Sequence, residues 1–131
     1  MNHENDDAMP HLTLEYSANL DTFDAEAILL ALNEALAACG HFEEIDIKSR
    51  CVRRDAFRVG TSSEPRAFVH ATLAILSGRA LDTRRALSEQ VLAVLKTHCG
   101  TPSGVHLQLS AQVVEIERES YAKAAIAPSS V

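Results

Sequence analysis

Apolar residues alternate with polar ones, shift to helical spacing and return to alternation, and the chain runs through this order twice. Few folds are compatible with such a pattern. From His11 to Tyr16, the residues Leu12, Leu14 and Tyr16 share one face of an expected strand. Asp21, Thr22 and Asp24 offer N-caps for a helix carrying Ile28, Leu29, Leu32, Ala35 and Leu36, which Cys39-Gly40 closes. A second strand of mixed polarity is expected where Ile45, Ile47, Ser49 and Cys51 alternate with Asp46, Lys48, Arg50 and Val52. Residues 53–66, with Gly60 and Pro65, read as a loop or irregular hairpin. The second half repeats the scheme. Ala67, Val69, Ala71, Leu73 and Ile75 form a strand that Ser77-Gly78 breaks, and Asp82 or Thr83 is expected to cap a helix striped by Leu87, Val91, Val94 and Leu95. Gly100 and Pro102 end that helix, and Val105, Leu107, Leu109, Ala111 and Val113 face one way in a last strand.

A duplicated βαβ unit follows: an α+β fold with a four-stranded mixed sheet, both right-handed crossovers placing their helices on one face. The other face would carry His11, Thr13, Glu15, Phe68, His70, Thr72, His106, Gln108 and Ser110. It is too polar for a dry core and too regular to ignore, and such a face often packs against sister subunits around a symmetry axis. The chain of 131 residues supports one sizeable core. Residues 1–8, polar and acidic, are expected to form a disordered extension, residues 9–118 the domain, and residues 119–131 a short helical or frayed tail able to pack on another subunit.

Eighteen acidic residues against twelve Lys and Arg give a net charge of -6, which speaks against nucleic-acid binding as the main task. The basic residues are nevertheless concentrated. Nine of the twelve lie between Lys48 and Arg85, against only Asp55, Glu64 and Asp82. Such a segment is either a solvated basic surface or a place that captures a small anion. The three cysteines show no CxxC spacing and follow no secretory signal pattern, so reduced thiols in a cytoplasmic protein are expected. The six histidines form no HxxxH or HExxH pair, so no metal site is expected, and no apolar run approaches the length of a membrane span.

Three blocks then carry a likeness. Met9-Pro10-His11-Leu12-Thr13-Leu14-Glu15-Tyr16-Ser17, Ile47-Lys48-Ser49-Arg50, and Ala67 to Leu73 running into Ser77-Gly78-Arg79 resemble, in this order, the 5-carboxymethyl-2-hydroxymuconate delta-isomerase family of the tautomerase superfamily. The resemblance implies a homotrimer of duplicated βαβ protomers and a cofactor-free isomerase whose base is an amino-terminal proline. Carried over residue by residue, it implies Pro10 as acid and base, and Arg79, Arg50 and Lys48 as binders of a small anionic polycarboxylate. The first arginine of the family's Ile-Arg-Ser-Arg block is Lys48 here, which keeps charge without the bidentate fork.

The chemistry explains why those residue types belong together. Isomerising a dienol or an unsaturated acid takes a proton from one atom and returns it to another, while negative charge builds on a conjugated oxygen. An alkyl amine can shuttle that proton only if its pKa is brought down toward neutrality. One cation about 6 Å away, at an effective dielectric of 20, contributes about 2.8 kcal/mol, enough to lower an amine pKa by roughly two. Inside a peptide bond, however, a proline nitrogen is an amide and cannot take a proton. Two explanations stand open: translation starts at Met9, whose removal exposes Pro10, or the extension is retained and the protein is a noncatalytic trimeric anion-binding or scaffold relative. A third possibility is another proline-dependent tautomerase acting on a 2-keto acid. Strand parity sets Pro10 with Leu12 and Leu14 and does not unite it with Arg50, whereas Arg79, after a glycine at a strand end, is placed to reach into a cleft. Arg53, Arg54, Arg58 and Arg66 are expected to be surface charge, and Cys51 a buried thiol.

Overall fold

The computed structural model describes residues 9–129; the extension expected over residues 1–8 lies outside the described residues. The elements are β1 (His11–Ser17), α1 (Ala25–Ala38), a 3-10 turn (Glu44–Asp46), β2 (Lys48–Arg54), β3 (Arg66–Leu76), α2 (Leu81–Cys99), β4 (His106–Ile116) and a 3-10 turn (Arg118–Ser120). They form a four-stranded sheet in the order β2-β1-β3-β4. The pairs β1–β2 and β3–β4 are parallel, each joined through its own helix, and β1–β3 at the centre is antiparallel. The duplicated βαβ reading therefore holds.

Burial follows strand parity. Leu12 and Leu14 of β1, and Ala67, Val69, Ala71, Leu73 and Ile75 of β3, are at most 1% exposed. They meet Ile28, Leu32 and Leu36 of α1 and Leu87, Val91 and Leu95 of α2 in one core. Each helical triplet recurs every fourth residue, so each helix buries one stripe against the same sheet face. Residues of opposite parity line the other face, where His70 Nδ1 lies 2.7 Å from Ser110 Oγ and Gln112 Nε2 lies 2.9 Å from His70 Nε2. No helix among the described residues is long and apolar enough to cross a membrane.

Of the three N-cap choices for α1, Asp24 is the one used, its carboxylate accepting from Ala27 N at 3.1 Å. A cap of this kind stabilises a helix by about 1 kcal/mol. Gly40, at φ 88, turns the chain away after Cys39.

Three expectations need correction. Ile45 is not in a strand: it sits 82% exposed in the 3-10 turn, because β2 can pair only from the point where β1 begins, at His11 opposite Lys48. Residues 55–65 are not a hairpin, since β1 lies between β2 and β3 and the connection must cross to the far side of it. Neither Asp82 nor Thr83 caps α2. The helix starts earlier, at Leu81, with Ala80 as N-cap accepting from Arg84 N at 3.1 Å. Asp82 thus falls in the first turn, where its charge complements the helix dipole. Beyond β4, Tyr121 and Lys123 of the tail dock on their own chain, against His11 and Asp46.

Candidate active site

Three of the four expected site residues, Pro10, Lys48 and Arg79, lie toward one end of the sheet. Pro10 immediately precedes β1, and its carbonyl accepts from Lys48 N at 3.2 Å, so the first residue of β2 is fastened beside it. The antiparallel register pairs His11 with Ala74, which brings the close of β3, and Ser77-Gly78-Arg79 after it, to the same end. Gly78 adopts φ 120, a conformation that side chains resist, and this turn aims the next residue. Arg118 closes the turn by donating to Ser77 O at 2.8 Å.

Arg79 is held rather than loose. One guanidinium nitrogen lies 3.2 Å from His41 Nδ1, another donates to His41 O at 3.2 Å, and the guanidinium carbon sits 5.2 Å from the centre of the Phe42 ring. An arginine has no acceptor, so His41 Nδ1 must accept. The aromatic face adds a cation–π attraction.

Arg50 lies two residues along β2, opposite Thr13, on the open face. It shares that face with Lys48 and His11, and one of its nitrogens lies 3.0 Å from His11 Nδ1. On its other side, His11 Nε2 is 3.3 Å from the Tyr121 hydroxyl. Partial burial, then the charges of Lys48, Arg50 and Lys123, hold the His11 pKa below its ordinary 6.5. The ring is therefore neutral at pH 7, as a ring accepting from an arginine must be. Lys48 is also lowered, first by burial and then by Lys123 and Arg50, with Asp46 opposing. Lys123 pairs with Asp46 at 2.7 Å. Pro10 and Met9 are both fully buried, and Pro10 takes the parity of Leu12 and Leu14. The proline and Lys48 thus share a sheet end, while Lys48 and Arg50 project to the face opposite that of Pro10, as the alternation in the sequence requires.

Of the cations expected to be surface charge, Arg53 and Arg54 form exposed pairs, whereas Arg66 is half-buried and bonded to backbone. Arg53 pairs with Asp55 at 3.1 Å, Arg54 with Glu15 at 2.8 Å, and Arg66 donates to Val59 O at 3.3 Å. Open cavities of 640 Å³ and 270 Å³ lie around Pro65 and Arg66, at the end of β3 away from Pro10. Burial pushes the Cys51 thiol up to about 11, which excludes it as a nucleophile near neutral pH. No cluster of metal-ligating side chains occurs among the described residues.

Sequence reasoning did not single out His41, Phe42, Tyr121 or Lys123. His41 and Phe42 follow directly on the glycine that closes α1, a place where a loop must turn back toward the sheet. The tail residues carry no periodic signal at all.

The family model for 5-carboxymethyl-2-hydroxymuconate isomerase matches residues 10–129. This chain belongs to that family. A curated 5-carboxymethyl-2-hydroxymuconate Delta-isomerase from Escherichia coli is 34% identical over 91 residues, which cover 69% of this chain and 72% of the relative. The crystal structure of a 5-carboxymethyl-2-hydroxymuconate isomerase from Deinococcus radiodurans R1 superposes with a TM-score of 0.84 at 32% identity, over 94% of this chain and 93% of the other. At the level of fold alone, a fused wild-type 4-OT solved as a symmetric trimer matches with a TM-score of 0.65 at 16% identity, covering 87% of this chain and 91% of that one. The protein is an isomerase with a tautomerase fold, and the family match begins at Pro10.

Proposed function

We propose that this chain, with Pro10 as its first residue, moves a double bond in a small unsaturated 2-hydroxy polycarboxylate of the 5-carboxymethyl-2-hydroxymuconate type. It does so in aromatic-acid breakdown, in the cytoplasm, without a cofactor and as a homotrimer. The observation that carries this reading is the position of Pro10: buried at the sheet end where the first residue of β2 and the Arg79 turn converge. A free imino nitrogen there has an apolar wall behind it, which disfavours its protonated form, and cations nearby, which act in the same direction. It takes a proton from the substrate and returns it to another atom of the same conjugated system, so that no net proton is lost. Arg79 and Arg50 grip carboxylates or the oxygen on which charge develops, and Lys48 adds a point charge.

Parity supports a site shared between protomers. Lys48 and Arg50 face away from their own Pro10, so the pair would serve the proline of a neighbouring copy across the open face. The trimer found for a relative of this fold agrees with that arrangement.

One observation favours a second reading, that of a noncatalytic anion-binding relative. In the described chain Pro10 is acylated by Met9, and Met9 is itself fully buried. Loss of Met9 would at once free the nitrogen and vacate buried space beside it. The experiment is an assay of the chain starting at Pro10, after chelation, on the muconate and on a keto-enol pair of a simple 2-keto acid. Faster conversion of the muconate is expected, by about tenfold or more in kcat/KM. A preference for the keto-enol pair would move the assignment to another proline-dependent tautomerase. Binding of the muconate with no turnover would support the noncatalytic relative.

A further inference from the structure

We infer that Tyr121 and His11 are positioning residues that hold the Arg50 guanidinium for a substrate carboxylate, the C-terminal segment acting as a strap that completes the clamp. This rests on the proposed role of Arg50 as an anion binder.

Arg50 projects from an edge strand and is exposed. A long side chain there samples many rotamers unless something fastens it. His11, one strand over, supplies an acceptor 3.0 Å from the guanidinium. Arginine only donates, so Nδ1 must carry the lone pair and Nε2 the proton. That proton is aimed at the Tyr121 oxygen, 3.3 Å away, and the two rings meet edge to face with centroids 6.5 Å apart. The guanidinium therefore sets the tautomer, the hydroxyl holds the tilt of the imidazole by accepting from Nε2, and the imidazole so held fixes the arginine. Two residues further along the tail, Lys123 bonds Asp46 at 2.7 Å, in a pair whose side chains are 29% and 18% exposed. Asp46 belongs to the 3-10 turn just ahead of Lys48, so the strap is tied down at the mouth of β2. It also brings a third cation beside Lys48 and Arg50.

The test uses full-length tails on chains that start at Pro10, and compares Arg50→Ala, Tyr121→Phe, the double variant, and His11→Asn against His11→Leu. Tyr121→Phe is expected to raise KM for a dicarboxylate substrate about threefold to tenfold with a smaller change in kcat, and to add nothing when Arg50 is already Ala. His11→Asn, whose Oδ1 can stand near the place of Nδ1, is expected to restore much of the KM lost in His11→Leu. Ring 15N shifts should show His11 as the Nε2–H tautomer in the parent and in Tyr121→Phe, and a mixture of tautomers in Arg50→Ala. An unchanged KM in Tyr121→Phe, with KM raised in Arg50→Ala, would overturn the strap while leaving the proposed function intact. An unchanged KM in Arg50→Ala would overturn the anion-binding role of Arg50 and the strap with it.

Discussion

A chain that retains Met9 in front of Pro10 is expected to isomerise its substrate at least about a thousandfold more slowly than one that starts at Pro10, because general base catalysis by a single positioned group is worth that order. Acylation removes the lone pair into the amide, and no neighbouring group can recover it. The pairing of β2 with β1 is expected to survive the change, since Pro10 fastens β2 through its carbonyl and not its nitrogen. Met9 adds a second obstacle by filling buried space next to the proline. Steady-state kinetics on the two chains, with the amino terminus of each verified by mass spectrometry, makes the comparison. Equal rates would remove Pro10 from the chemistry.

Replacing Arg79 by Ala in the Pro10-first chain is expected to lower kcat/KM for a dianionic substrate by about tenfold or more. Arg79 is anchored from two directions, by His41 and by the Phe42 ring. Two of its donors bond His41, which orients the guanidinium. Lysine at this position keeps the charge and loses the fork, so Arg79→Lys should recover only part of the activity. Since Arg79 lies between β3 and α2, outside both, circular dichroism should show the secondary structure unchanged. An unaltered kcat/KM would take Arg79 out of the site.

What the sequence could reveal depended on period. Leu12 and Leu14, the five alternating buried residues from Ala67 to Ile75 of β3 and the two helical stripes read directly, because one face of each element is dry and the other is not. Ile45 misled because alternation continued past the point where a partner strand exists. Pairing, not hydrophobicity, sets where β2 starts. The α2 cap was missed because backbone geometry after Gly78 delivered Ala80 to the cap position, and no side chain was needed. Pro10, Lys48, Arg50 and Arg79 stood out through the likeness of short blocks, and the register explains why three of them share an end. His41 holds Arg79 across 38 positions of sequence, and Tyr121 reaches His11, the partner of Arg50, across 110. Contacts of that range leave no local pattern to read.

The central claim is that a free Pro10 nitrogen stays unprotonated at neutral pH under the influence of burial and neighbouring cations. A 15N titration of the Pro10-first chain, labelled at proline, measures this directly. The account expects the nitrogen to be mostly neutral at pH 7 and to become more basic when Arg79 is replaced by Ala. A nitrogen that remains an ordinary ammonium through the neutral range, in a chain that still isomerises its substrate at full rate, would contradict it.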